Sequence, residues 1–140
     1  MASAEQVDEA RGLAILLHRA ATLARDDFAR AARPLGIEPQ AARVLLLLDE
    51  PMPLRAIADR LLAEEAVIAA AADALERAGL AVRDGEPDAP ALSPTEAGAA
   101  VRERLGAAIA ADSTALHALD PAERAQLATL LERLVESGAR

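Results

Sequence analysis

The chain has 140 residues, enough for one domain or one subunit of an oligomer, and 23 acids against 15 bases give a formal net charge of −8. Every base is arginine and there is no lysine or cysteine, which excludes disulfides, thiolate metal sites, cysteine nucleophiles, Schiff-base lysines and P-loop chemistry. With 38 Ala and 22 Leu against 6 Val, 5 Ile and one aromatic residue, the composition favours helix over sheet and removes the stacking platforms used on single-stranded nucleic acid.

Near the start, Glu5, Asp8 and Glu9 stand where a signal peptide needs basic residues. The apolar run Val44–Leu48 is far too short to span a bilayer, so a soluble cytoplasmic chain without membrane contact is expected. From Glu5 to Ala32 apolar residues recur three and four apart through Val7, Leu13, Leu17, Ala24 and Phe28, which predicts a long amphipathic helix. Arg33-Pro34-Leu35-Gly36 ends it. Glu38-Pro39 opens a second helix running to Leu48, with Pro in its first turn. Asp49-Glu50-Pro51-Met52-Pro53 reads as a loop, because each Pro restricts the residue before it to extended backbone.

A short helix is predicted from Arg55 to Leu62, and a longer one from Glu64 to Ala78 closed by Gly79 as a left-handed cap. Within the longer one, Ile68, Ala71, Ala72 and Leu75 share the inward face. Leu80–Val82 and Ala91–Leu92 flank a turn-rich segment containing Asp84-Gly85 and two prolines, the pattern of a small β-hairpin. Thr95 is a good N-cap for one long helix continuing through Leu105, Ile109 and Leu116. Asp120-Pro121-Ala122-Glu123 combines a cap, a first-turn Pro and an acid at the third helical position, and the final helix frays near Gly138.

The fold expected from this order is mainly α: a winged helix-turn-helix lobe with a small β-hairpin wing, between N- and C-terminal helices of a dimerisation scaffold. The segments Pro39-Gln40-Ala41-Ala42-Arg43-Val44-Leu45-Leu46-Leu47-Leu48, Met52-Pro53-Leu54-Arg55-Ala56-Ile57-Ala58-Asp59-Arg60-Leu61, Asp73-Ala74-Leu75-Glu76-Arg77-Ala78-Gly79-Leu80, Thr95-Glu96-Ala97-Gly98 and Leu119-Asp120-Pro121-Ala122-Glu123-Arg124 resemble, in order and spacing, the MarR family of bacterial transcriptional regulators. The resemblance covers nearly the whole chain. It implies a single domain over residues 1–140, with 5–36 and 95–137 as dimerisation helices and 39–92 as the winged lobe. It further implies a homodimer binding double-stranded DNA, with residues 64–78 as recognition helix and 82–91 as wing, released by a small organic ligand. His18 and Arg19 fall where such a ligand pocket would lie.

The DNA-facing positions depart from that pattern. Glu65, Ala66, Val67, Ala69 and Ala70 stand where base-reading and phosphate-binding side chains are needed, and none of the five has a side-chain donor. In the wing, Asp88-Ala89-Pro90 has Pro where the family carries Arg. Between Leu54 and Ala100 the four bases Arg55, Arg60, Arg77 and Arg83 face nine acids, a net charge of −5. These four arginines are the candidate phosphate contacts, with Glu65, Ala66 and Ala70 as candidate base-facing positions, and the local charge disfavours DNA.

Two functions are therefore expected to compete: a ligand-responsive regulator with weak or atypical DNA binding, and a repurposed dimer that has lost DNA and binds or transforms a small molecule. A third reading gives the Ala and Glu face to a protein partner. The seven Gly include no Gly-x-Gly, the serines lack a nucleophile elbow, and His18 and His117 have no ligand spacing, so no catalytic residue, cofactor or metal is expected.

Overall fold

Reciprocal capping starts the first helix. Ser3 Oγ accepts from the Gln6 backbone N–H at 3.2 Å, while Gln6 Oε1 accepts from the Ser3 N–H at 2.9 Å. In the computed structural model, which describes residues 1–139, this helix α1 runs Ala4–Ala32 and gives way to a single 3-10 turn, Arg33–Leu35, closed by Gly36. Then follow α2 (Pro39–Leu47), β1 (Met52–Pro53), α3 (Leu54–Leu61), α4 (Glu65–Arg77), β2 (Ala81–Glu86), β3 (Ala89–Pro94), α5 (Glu96–Asp112), α6 (Thr114–Ala118) and α7 (Pro121–Gly138). The chain is mainly α with one small antiparallel sheet in the order β1-β3-β2, as expected for a winged helix-turn-helix.

Three local expectations need correction. Met52-Pro53 is a short edge strand rather than loop, because Met52 pairs with Leu92 and Pro53 with Ala91, and an edge position tolerates the missing Pro N–H. The hairpin strands are six residues each, and the register Glu86↔Ala89 leaves Pro87-Asp88 as the turn. Gly85 takes φ 90° inside β2, so Asp84-Gly85 bends the strand instead of ending it. The helix from Thr95 stops at Asp112 because Ser113 caps a new one, its Oγ accepting from the Leu116 N–H at 3.2 Å.

The described residues form two units. The first comprises Met1–Asp27 with residues 110–139, and the second Phe28–Ile109. In the first unit α7 starts with a complete capping box, Asp120 Oδ1 accepting from the Glu123 N–H at 2.9 Å and Glu123 Oε1 from the Asp120 N–H at 3.0 Å. Asp27 joins α1 to α6: its carboxylate accepts from the Thr114 backbone N–H at 2.9 Å and from Thr114 Oγ1 at 3.2 Å. Large apolar residues of this unit are exposed, among them Leu13, Ile15, Leu16, Leu17 and Leu23 on α1 and Leu127, Leu130, Leu131, Leu134 and Val135 on α7.

The second unit holds the buried core. Val44, Leu45 and Leu48 of α2, Leu54 and Ile57 of α3, Ile68 and Leu75 of α4, and Leu92 of β3 close around one another. A smaller cluster gathers Ala31, Ala32, Ala42 and Leu105, with Phe28 and Ile109 against it. Thr95 fixes the start of α5: its Oγ1 donates to the Gly79 carbonyl at 2.7 Å and accepts from the Gly98 N–H at 3.0 Å, while its own N–H donates to the Leu80 carbonyl at 3.1 Å.

Candidate nucleic-acid interface

Helix α3, the turn at Leu62–Glu64, helix α4 and the β2–β3 hairpin lie in sequence around one face of the second unit. The periodicity of α4 places Ile68, Ala71, Ala72 and Leu75 inside, all buried as the spacing predicts. Glu65, Ala66, Val67 and Ala70 therefore stand outward and exposed, with Ala69 half-buried. Leu62 turns the chain at φ 51° and ψ 42°, the left-handed conformation that disfavours every side chain, and remains 78% exposed.

Two grooves border the outer face of α4. One, of about 440 Å³, lies against the start of α3 and the hairpin, and its walls include Arg55, Glu65, Ala66, Arg83, Asp88 and Pro90. The other, of about 540 Å³, runs along α2 and includes Glu38, Gln40, Val67, Ala70 and Arg77. Neither wall offers the row of amide and hydroxyl groups that reads base edges.

The four candidate arginines divide into two kinds. Arg60 and Arg77 are exposed and pair with no acid among the described residues. Arg55 Nε donates to Glu65 Oε1 at 3.1 Å, with both side chains largely exposed. Arg83 on β2 is held more firmly. Its Nη2 donates to Asp73 Oδ1 at 2.9 Å and to the Ala69 carbonyl at 3.2 Å, and its side chain is only 30% exposed. Arg83 Nε lies 3.2 Å from Glu76 Oε1, buried and without the alignment of a hydrogen bond. Two of the four positive groups on this face are thus neutralised by carboxylates of α4.

Sequence reading missed these partners. Asp73 and Arg83 are ten residues apart across the Gly79 turn, and only the register of β2 against α4 brings them together. The acids at positions 73 and 76 share a helix face at i, i+3, which is a signal for a bridging cation but not for which one. His18 and Arg19 are exposed on α1, where the His18 carbonyl accepts from Thr22 Oγ1 at 3.0 Å. His117 Nε2 lies 2.7 Å from the Ala111 carbonyl, which ties α6 back to the end of α5. Among the described residues no three His, Asp or Glu side chains gather into a metal-binding group, and no helix is long and apolar enough to cross a membrane.

No protein-family model and no curated protein matches the chain. Solved structures do. It superposes on a MarR family transcriptional regulator of Streptomyces coelicolor, Sco5413, with a TM-score of 0.81 at 21% identity, covering 93% of this chain and 95% of that one. CouR of Rhodococcus jostii RHA1, solved with p-coumaroyl-CoA, gives 0.79 at 22% identity over 88% and 91%. Reduced AbfR, solved bound to DNA, gives 0.75 at 20% identity over 97% and 98%. The helix-turn-helix of α3 and α4, its hairpin wing and the flanking terminal helices are accordingly those of the MarR-type winged-helix fold.

Proposed function

We infer that the chain is a homodimeric, cytoplasmic transcriptional regulator of MarR type that binds double-stranded DNA weakly and responds to a small organic ligand. The observation that carries this reading is the joining of a winged helix-turn-helix, its α4 facing outward, to terminal helices with exposed apolar faces. Roughly ten large apolar side chains of α1 and α7 are about half exposed. At ~2 kcal/mol for a fully buried side chain, they represent on the order of 10 kcal/mol per copy, enough in two copies to offset the 4–15 kcal/mol that association costs. A second copy supplies the same surface with the same chemistry.

AbfR was solved on DNA and CouR with an acyl-CoA, which supports DNA and an organic ligand as partners here. Arg60 and Arg77 are the exposed, unpaired phosphate contacts, and His18 and Arg19 the candidate ligand contacts. The test is titration of the purified protein with duplexes from its own genomic neighbourhood at rising salt. A protein-dependent shift at low ionic strength that fades steeply is expected; no shift at any salt refutes the reading.

The outer face of α4 favours a second reading. Glu65, Ala66, Val67 and Ala70 supply neither a donor nor a positive charge, as in a dimer that has left DNA behind and keeps only its small-molecule function. Tight, sequence-specific operator binding would eliminate it.

A further inference from the structure

We propose that the acids of α4 act as internal phosphate mimics: Asp73 and Glu76 hold Arg83, and Glu65 holds Arg55, so that the wing and the α3 start are withheld from DNA. This rests on the DNA-binding reading above and adds the element that limits it. A phosphate oxygen and a carboxylate oxygen compete for the same guanidinium donors with the same geometry. Arg83 makes its contacts at 2.9 Å and 3.2 Å to Asp73 and the Ala69 carbonyl, with Glu76 Oε1 3.2 Å from Nε, so an incoming phosphate finds that guanidinium already engaged. Arg55 is engaged at 3.1 Å by the first acid of α4. Both arginines line the same groove between α3, α4 and the hairpin, together with Glu65 and Asp88. DNA phosphates reaching these two guanidinium groups must displace Glu65, Asp73 and Glu76 and then lie against them.

The contacts differ in strength, and this decides which matters more. The Arg55–Glu65 pair is 80% and 62% exposed, where solvent screening leaves little net attraction. Arg83 has less exposure, two carboxylates and a backbone carbonyl. The hold on Arg83 is therefore the stronger half, and it also pins β2 to α4 and fixes where the wing can reach.

The experiment compares three full-length proteins on one random-sequence duplex by fluorescence anisotropy across a salt series. The first is native; the second carries Glu65→Gln, Asp73→Asn and Glu76→Gln; the third carries Glu64→Gln, Glu86→Gln and Asp88→Asn. The second and third gain the same three charges, but only the second frees Arg55 and Arg83. Two freed arginines in each subunit of the proposed dimer, four in all, should steepen the slope of log affinity against log salt by about 3.6 relative to the third protein, or roughly a 150-fold greater loss between about 50 and 200 mM. Adding Arg55→Gln and Arg83→Gln to the second protein should return its slope to that of the third. Equal slopes for the second and third proteins, with both binding, would overturn the internal-mimic proposal and leave the DNA reading standing. Failure of all three to bind at low salt would overturn both.

Discussion

Gly98 lies in the first turn of α5, where helix propensity alone says that Ala should be better by about 1 kcal/mol. The structure predicts the opposite sign for Gly98→Ala. A Cβ at this position would fall inside the van der Waals envelope of the Leu80 carbonyl oxygen, 2.9 Å from its carbonyl carbon and 3.3 Å from its Cα. All three atoms are backbone, so no side chain can swing away. Relief requires the start of α5 to move from Leu80 by about an ångström, which overpacking data put at ~1–3 kcal/mol. The same movement stretches the Thr95–Leu80 and Thr95–Gly79 hydrogen bonds, each worth ~1 kcal/mol net. Set against the propensity gain, the expected loss is ~3 kcal/mol. Urea unfolding followed by far-ultraviolet circular dichroism measures it, and with a slope of ~2 kcal/mol/M the midpoint should fall by about 1.5 M. An unchanged or raised midpoint would refute the steric argument and show that the α5 start adjusts freely against Leu80.

Leu62→Gly should raise stability by ~0.5–1 kcal/mol, read as a Tm increase of a few degrees, because Gly relieves the left-handed φ at a site whose side chain is mostly in water. A fall in Tm would mean that Leu62 packs in the folded state. Asp27→Ala removes the acceptor for the Thr114 N–H and hydroxyl, and amide exchange in Thr114–Ala118 should quicken by roughly tenfold, corresponding to ~1.4 kcal/mol, while α2 and α4 amides keep their rates. Leu16→Asp places a carboxylate in an apolar face that a second copy would cover, and the sedimentation-equilibrium dimer constant should weaken by at least about 100-fold. An unchanged constant would move the dimer contact away from this part of α1.

Elements with strong local signals were legible in the sequence. Asp120-Pro121-Ala122-Glu123 forms the capping box its residues promise, Gly79 takes φ 73° at the end of α4, and the inward face of α4 follows its period. What depended on contacts between distant segments was not. Met52-Pro53 becomes a strand only because β3 lies alongside it, and the long helix through Leu116 breaks because Ser113 offers a cap and Asp27 a distant acceptor for Thr114. At the candidate interface, net charge along the lobe already spoke against DNA, but charge counting treats four arginines alike. The pairing of Arg83 with Asp73 and Glu76 is fixed by the placement of β2 beside α4 and is invisible to a count.

The two units also differ in how they can be built. Phe28–Ile109 is one continuous stretch whose core contacts are all internal, so it can close while later residues are still being synthesised. The other unit joins the first 27 residues to those beyond Ile109, and the Asp27–Thr114 bonds close a separation of 87 positions. During synthesis α1 therefore waits for α6 and α7 to emerge, and its Leu13, Leu16, Leu17 and Leu23 stay exposed even in the finished chain. That interval leaves the first helix open to chaperone binding or premature contact between nascent chains, and the proposed dimer would pair most easily where ribosomes on one message bring two such helices together.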